Sequence, residues 1–441
     1  METIDVLRGV LPEGSSCSPG GHLVVGGCDA TELAERFDTP LVVLDRSTLE
    51  ARAAAFTAVL EPSRVFYAGK AFLCIAVCEL LAPLGLGLDV CTGGELVTAL
   101  RAGFPADRII FHGNNKSPEE LGLAASAGVG RVVVDSFEEI ERIQRAGLET
   151  ALLVRVAPGV ETATHDFVRT GQEDSKFGFT LDGGVALDAV RKTLAAPGCD
   201  LVGLHAHIGS QILELAAFEM AIRRLAELAR ACRDATGFVA RELNLGGGLG
   251  IAHTAEETAP EPSEWVKDMI EAIDREFSAR RLEAPALAVE PGRAIVGPAA
   301  ATLYRVGTVK RIPGVRTYVS VDGGMSDNIR PALYGARYEA FLANRMSSPP
   351  GPPVTVAGKH CESGDLLVGD VHLPADVAPG DLLAIPATGA YTHSMASSYN
   401  RVPRPPVVMV DRGRATEIVA REPLEDVYRL DRHLSGAPGP A

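Results

Sequence analysis

Short apolar runs alternate with segments of helical periodicity between residues 64 and 290. The runs are rich in β-branched residues, as expected of strands that are buried on both faces. Eight runs fit this description: VFYA (65–68), LGLDV (86–90), RIIFH (108–112), RVVVD (131–135), ALLVRV (151–156), VGLHAHI (202–208), ELNLG (242–246) and ALAVE (286–290). The segments between them, such as 136–147 and 217–232, carry the apolar stripe of amphipathic helices. The alternation predicts repeated βα units around a parallel sheet.

Eight parallel strands with interleaved helices favour a closed (β/α)8 barrel over an open sheet. The catalytic side chains of such barrels gather where strands end and loops begin. Polar and glycine residues of this chain fall at those positions: Lys70, Asp89, Arg155, His207, Gly246, Gly247, Gly248, Glu290 and Arg293. The sequence therefore predicts one functional site at the mouth of the barrel.

The pattern changes after about residue 300 to strand-like runs separated by Gly, Pro and Asp turns. This pattern predicts an all-β domain, either a β-barrel or a β-sandwich. We expect three parts: an N-terminal segment (1–44) that packs with the C-terminal domain, the (β/α)8 barrel (45–300) and the C-terminal β domain (301–441).

The net charge and the composition argue against some classes of binding partner. The chain has 42 Lys and Arg against 57 Asp and Glu, a net charge of −15, which argues against nucleic acid as a partner. The longest apolar stretch, 65–90, is interrupted by charged residues and a proline, so it does not predict a membrane span. The N-terminus does not resemble a secretory signal, and we expect a cytoplasmic protein with no membrane partner.

The eight cysteines are scattered, without CxxC pairs or the Cys and His spacing of a zinc site. We therefore predict no metal site. Free thiols are typical of a reducing compartment, in agreement with the cytoplasmic prediction.

A phosphate group is predicted from the loops after the last strands. GGGLG (246–250) follows the seventh run and EPGR (290–293) follows the eighth, the usual phosphate-binding loops of a (β/α)8 barrel. Glycines let backbone N–H groups approach an anion, and Arg293 and Ser210 add side-chain donors. For the glycine loop alone, an ordinary tight turn is the alternative interpretation.

Lys70 interrupts the apolar run VFYAGKAF, although lysine is rarely buried unless it is paired or chemically used. In one interpretation its aliphatic stem lies on apolar surface with the ammonium in solvent. In the other, which the rest of the chain favours, it is a buried lysine with a chemical role. A lysine after the first strand, a phosphate cradle and a carboxylate after the last strand together describe a pyridoxal 5′-phosphate (PLP) site. We expect Lys70 to bind the cofactor covalently, Glu290 to face the pyridine nitrogen, and His207 to stack on the ring. For Asp89 and Arg155, a role beside the lysine or the cofactor and a structural ion pair both remain open.

Ten motifs in unbroken order resemble the fold-type III PLP-dependent decarboxylases, the group of ornithine, diaminopimelate and arginine decarboxylases. The resemblance extends from about residue 38 to 422. The resemblance is closest to the bacterial diaminopimelate-specific members. The motifs are YAGKA, LDVCTGGEL, HGNNKSPEEL, SKFGF, HAHIGSQI, LNLGGGLGI, EPGRAIVGPA, VDGGMSDNIRPALYGARYE, KHCESGD and GAYTHSMASSYN.

The resemblance implies a head-to-tail homodimer with shared active sites, in which CESGD reaches the partner's site. It implies that Cys361 reprotonates the substrate Cα and that Glu362 contacts the distal amino group. The distal carboxylate would be held by Arg293, Arg330 and Tyr334, and Tyr391 would lie by cofactor and substrate. The expected catalytic residues are Lys70, Cys361 and His207. The expected cofactor contacts are Lys70, Asp89, Arg155, His207, Ser210, Gly246, Gly247, Gly248, Glu290, Gly292, Arg293 and Tyr391.

The implied reaction is decarboxylation of meso-2,6-diaminopimelate to L-lysine, because arginine suits a distal carboxylate and Glu362 suits a distal ammonium. The main alternative is a paralogue acting on ornithine, lysine, arginine or a carrier-bound glutamyl group. A racemase-like enzyme and a cofactor-free binding protein are weaker alternatives, since the first usually places arginine where Glu290 stands. Departures from the family pattern fall at Gly69 and Thr392–His393, and the role of His393 stays open.

Overall fold

The computed structural model describes residues 3–160, 175–198 and 200–434. Cys199 and the residues after 434 lie outside this range. The chain divides into two compact units. The first unit contains Met1–Leu49, Ala252–Glu257 and Pro298–Ala441, and the second contains Glu50–Ile251 and Thr258–Gly297.

The N-terminal part of the first unit forms a small antiparallel sheet and contributes one strand to a larger sheet. Its elements are α1 (Thr3–Val6), β1 (Ser16–Cys17), β2 (Leu23–Val25), β3 (Cys28–Asp29), α2 (Ala30–Phe37) and β4 (Leu41–Asp45).

The second unit is built from alternating helices and parallel strands. Its strands are β5 (Phe66–Ala68), β6 (Gly87–Val90), β7 (Ile109–Phe111), β8 (Arg131–Val134), β9 (Ala151–Ala157), β10 (Phe179–Thr180), β11 (Asp200–His205), β12 (Glu242–Asn244) and β13 (Ala286–Ala288). Helix α3 (Arg46–Thr57) leads into it, followed by α4 (Ile75–Leu81), α5 (Gly93–Arg101), α6 (Pro118–Ala127), α7 (Phe137–Arg145), α8 (Val185–Leu194), α9 (Ala216–Thr236), α10 (Pro262–Ala279) and the short α11 (Arg293–Val296).

Eight of the described strands form a closed parallel barrel, in the order β5-β6-β7-β8-β9-β11-β12-β13. A parallel bridge between Val65 and Val289 joins the first strand to the last. Phe66 N donates to Val289 O at 2.8 Å, and Val289 N donates to Arg64 O at 3.0 Å. The predicted (β/α)8 barrel is therefore confirmed, and each of the eight predicted runs overlaps one of its strands.

Residues at the N-terminus of α6, the helix that follows β7, determine where this helix begins. Ser117 caps α6, its hydroxyl accepting from Glu120 N, while the Glu120 carboxylate accepts from Ser117 N. Pro118 occupies the first helical position, where a missing N–H costs nothing. The same Glu120 carboxylate accepts from Gly93 N at 2.6 Å, so it also connects the starts of α5 and α6.

The remainder of the first unit is rich in β-strands, as the sequence predicts. Its order is β18-β17-β15-β14-β4-β20-β21, with β19 paired to β14 and β16. Strand β4 pairs antiparallel with β14 and parallel with β20. The elements are β14 (Ala300–Ile312), β15 (Arg316–Val321), α12 (Arg330–Tyr334), β16 (Phe341–Leu342), β17 (Pro353–Ala357), β18 (Leu366–His372), β19 (Leu382–Pro386), β20 (Val407–Asp411) and β21 (Arg414–Val419). Among the described helices, none is long and apolar enough to cross a membrane.

A buried ion pair anchors the loop after β7. Lys116 Nζ lies 2.6 Å from the Glu139 carboxylate, and their side chains are 0% and 1% exposed. The ammonium also donates to the carbonyls of Gly113 (2.7 Å) and Val133 (2.9 Å). The charge is thus compensated on several sides, as burial requires.

We expect Glu139→Ala to lower the free energy of unfolding by about 3–5 kcal/mol, because it leaves a buried ammonium without its counter-ion. Glu141→Ala is the matched control on the same helix, since Glu141 forms only exposed ion pairs. It is expected to cost less than about 1 kcal/mol. Urea unfolding followed by circular dichroism measures both, and equal losses would contradict the analysis.

Candidate active site

The residues after the barrel strands converge at one mouth, and Lys70 is the first of them. Its Nζ donates to Asp89 Oδ2 at 2.9 Å. Asp89 is fully buried, whereas the Lys70 side chain is 38% exposed. The expectation of a buried lysine is therefore wrong. Strand β5 ends at Ala68, and a turn over Gly69–Ala71 turns the lysine out of the apolar run toward solvent.

Glu290 follows the last barrel strand and is surrounded by donors. Its Oε1 accepts from His112 Nε2 and from Asn244 Nδ2, both at 2.8 Å, and its Oε2 accepts from His205 Nε2 at 3.3 Å. Burial by itself would raise the pKa of this carboxyl, but His112 and His205 outweigh burial and hold the pKa well below its usual value. Glu290 is therefore an anion inside the barrel.

The glycine loop after β12 packs closely on its neighbours. A Cβ on Gly247 would lie 2.3 Å from Glu290 O, so only glycine allows the loop to approach the end of β13. Gly247 N donates to His207 Nδ1 at 3.2 Å. Burial, followed by the charges of Lys70 and Arg155, lowers the pKa of His207 well below its usual value. His207 is therefore a neutral ring whose Nδ1 is an acceptor.

The loops after β11, β12 and β13 are tied together. Arg293, buried at the start of α11, donates from Nη2 to Ser210 Oγ at 2.9 Å. The Gln211 side chain accepts from Ile251 N and donates to Ile251 O. The two predicted phosphate-binding loops and Ser210 are thus neighbours in the structure.

Roles were left open for Arg155 and Asp89, and among the described residues Arg155 pairs with Asp135, not with Asp89. Arg155 lies 3.6 Å from Asp135, and its guanidinium stacks over the Phe177 ring at 4.3 Å. Asp135 also accepts from Gly178 N at 2.7 Å. Within the described residues, Arg155 therefore anchors part of the SKFGF motif, while Asp89 holds Lys70.

The first unit carries the remaining predicted residues. Cys361 and Glu362 are exposed on the loop between β17 and β18. Asp365 fixes this loop, since its carboxylate accepts from His360 N at 2.8 Å and from Met325 N at 2.6 Å. Asn400 Oδ1 accepts from Cys361 N at 3.2 Å.

Arg330 starts α12 and is 5% exposed. Its Nε donates to Tyr338 OH at 2.8 Å, and its guanidinium stands 5.7 Å from the Tyr334 ring centroid. Tyr391, on a separate loop, has φ 58°, a conformation that a non-glycine residue adopts at a cost and that is enriched at functional sites.

Sequence reasoning missed His112, His205 and Asn244. The sequence offered a signal for the two histidines, because His112 ends a predicted run and His205 shares a strand face with His207 inside another. Asn244 lies within the run 242–246 and carries no such signal. His112, His205 and Glu290 also form a group whose ligand atoms lie within 4.8 Å of one another. No metal site was predicted from the cysteine and histidine spacing, and the hydrogen bonds to Glu290 account for this grouping.

His205 makes the stability of the protein depend on pH. Burial lowers the pKa of His205 from 6.5 to about 4. Between these values the unfolded chain binds more protons than the folded chain, so lowering the pH favours unfolding. From about pH 7.5 to 5, wild type should lose about 2 kcal/mol more than His205→Gln, measured by urea unfolding. Identical pH slopes in the two proteins would show that His205 does not titrate in this way.

Comparison with known proteins supports the prediction of PLP as cofactor. The model of the pyridoxal binding domain of pyridoxal-dependent decarboxylases matches residues 46–297. The chain is 48% identical to the diaminopimelate decarboxylase of Bacillus subtilis, over 93% of this chain and 95% of that protein. It is 50% identical to that of Actinosynnema pretiosum subsp. auranticum, over 93% of each.

A solved structure, diaminopimelate decarboxylase from M. jannaschii in complex with L-lysine, superimposes with a TM-score of 0.88. The match is 32% identical and covers 96% of this chain and 99% of that one. The chain therefore belongs to the pyridoxal-dependent decarboxylases, in the branch formed by the diaminopimelate decarboxylases.

Proposed function

We propose that this protein is a PLP-dependent carboxy-lyase that converts meso-2,6-diaminopimelate to L-lysine and CO2, the last step of lysine biosynthesis. The observation that carries the proposal is the identity of 48% to the B. subtilis enzyme over 93% of this chain. The related M. jannaschii structure contains L-lysine, the product of this reaction. An acidic protein with free thiols suits the cytoplasm, where we place the reaction.

The residues at the barrel mouth fit PLP. Its phosphate matches Ser210, Gly246–Gly248, Gly292 and Arg293, since glycine backbone and a guanidinium are suited to an anion. The ionised Glu290 matches a protonated pyridine nitrogen. When bound, PLP withdraws electrons from the substrate Cα and stabilises the carbanion that remains after CO2 leaves.

Side chains of the protein hold and orient the cofactor. Lys70 would hold the cofactor covalently, and Asp89 orients the lysine amine through the contact at 2.9 Å. His207, neutral and held through Nδ1, would offer a flat face to the cofactor ring. Arg155 steadies the motif beside the site through Asp135. We also assign Tyr391 to the cofactor contacts.

The substrate is recognised at its distal end. We assign the distal carboxylate to Arg330, with Tyr334 beside it and Arg293 as a further cation. Because Tyr338 holds the Arg330 side chain, the guanidinium is already oriented for two-point contact with a carboxylate. Glu362 contacts the distal ammonium, and the Cys361 thiol donates the proton that Cα receives.

The function is tested by CO2 release from purified protein with added PLP. The substrates are meso-diaminopimelate, its LL isomer, L-lysine, L-ornithine and L-arginine. We expect turnover of the meso compound alone, with L-lysine as product, since only this substrate carries a distal carboxylate and ammonium of the required configuration. Turnover of a monocarboxylic amino acid instead would move the protein to another branch of the family.

We also propose a homodimer in which the loop with Cys361 and Glu362 completes the site of the partner subunit. Both residues are exposed in the single chain, as a residue that serves another subunit would be.

Mixing two inactive chains tests the shared site. Lys70→Ala and Cys361→Ala, unfolded together and refolded as a mixture, should recover about a quarter of wild-type activity. Random pairing gives half heterodimers, each with one intact site. Each variant refolded alone is the control and should stay inactive. Absence of recovery in a mixture that forms dimers would refute the shared site.

A further inference from the structure

Asn244 connects two parts of the candidate cofactor site. It is the last residue of β12 and is fully buried. Its Nδ2 donates to Glu290 Oε1 at 2.8 Å, while its Oδ1 accepts from Gly246 N at 2.9 Å. One rigid amide thus joins the carboxylate assigned to the pyridine nitrogen and the loop assigned to the phosphate.

His112 makes a second connection from the opposite side. Its Nε2 lies 2.8 Å from Glu290 Oε1 and 3.8 Å from Asp89 Oδ1, and Asp89 in turn holds Lys70. The imidazole is 4% exposed, and its ring packs edge-on against His205 with centroids 4.8 Å apart. Lys116, which fixes the same loop through Gly113 O, keeps this histidine in place.

We propose that His112 and Asn244 are positioning residues that keep Glu290 ionised and aimed at the pyridine nitrogen, and that Asn244 additionally couples this carboxylate to the phosphate loop. The inference rests on the proposed function, because it assigns Glu290 to the nitrogen of PLP. Neither residue touches the cofactor in this assignment.

The physical argument is a competition for one proton between Glu290 and the pyridine nitrogen. Hydrogen bonds donated to a carboxylate stabilise its anion, so each donor makes Glu290 a weaker competitor. The other charged or titratable groups around this site are the partly exposed Lys70, the buried Arg155 and Asp89, and the neutral rings of His205 and His207. Without His112 or Asn244, Glu290 would become more basic and the proton would move from the nitrogen to the carboxylate. The ring would then withdraw electrons less strongly.

The test reconstitutes apoenzyme with PLP labelled with ¹⁵N in the ring and records ¹⁵N and ³¹P NMR spectra. His112→Leu and Asn244→Leu should both move the ¹⁵N signal toward that of unprotonated pyridine. Of the two variants, only Asn244→Leu should also change the ³¹P signal and weaken PLP binding, by about tenfold, because Asn244 contacts the phosphate loop.

His112→Gln is the matched control, because its amide nitrogen can replace Nε2 as the donor, and it should restore the wild-type ¹⁵N signal. If leucine at position 244 prevents folding, Asn244→Ser replaces it, since serine is too short to reach both partners. A wild-type ¹⁵N signal in both folded variants, His112→Leu and Asn244→Leu (or Asn244→Ser in its place), would overturn the inference. An equal displacement of the ¹⁵N signal in His112→Gln and His112→Leu would also overturn it.

These spectra need bound cofactor but no turnover. Failure of the proposed function would appear instead as a wild-type protein that binds PLP and releases no CO2 from meso-diaminopimelate. The two failures are therefore distinguishable.

Discussion

Closure of the barrel is the constraint on which the candidate site depends. The bridge between Val65 and Val289 joins the first strand to the last, so Lys70 and Glu290 reach the same mouth although they are far apart in sequence. A Cβ on Gly292 would lie 2.9 Å from Ala68 O, which shows how tightly the loop after β13 packs on the end of β5. An open sheet would leave these strands at opposite edges.

Closure also creates an electrostatic problem, since it buries two carboxylates, Asp89 and Glu290, inside the same ring of strands. Each is compensated by specific donors: Asp89 by Lys70, and Glu290 by His112, Asn244 and His205. The cost of burying charge is thus offset by contacts that also fix the direction of each side chain. Stability and the positioning of reactive groups therefore come from the same hydrogen bonds.

The fold was predictable because its signals are local. Each barrel strand is a short apolar run with polar or glycine residues near its end. Eight such runs between amphipathic helices leave few topologies other than a closed barrel. The first residues of the loops were predictable for the same reason, since position at a strand end singles out Lys70, Glu290 and the glycine loop.

What the sequence did not predict depends on three-dimensional partners. The exposure of Lys70 depends on the turn after β5, which the apolar run conceals. The pairing of Arg155 with Asp135 depends on strand geometry, because Asp135 follows the strand beside that of Arg155, whereas Asp89 lies on β6, three strands away. Asn244 resembles any polar residue before a glycine turn, and only its two contacts reveal that it bridges the loop and Glu290.

The two units differ in how far the residues assigned to the reaction are exposed to solvent. In the barrel, the groups assigned to the cofactor are buried or braced by neighbours, as preorganised electrostatics require. In the first unit, Arg330 is buried against Tyr338, but Cys361 and Glu362 are exposed on a loop held through Asp365 and Asn400. If Cys361 is the proton donor, as proposed above, water would compete with it at the carbanion while it is exposed, so selective protonation would require a further surface over it. The firmly held backbone and uncovered side chains of this loop are what a site completed by a second subunit requires.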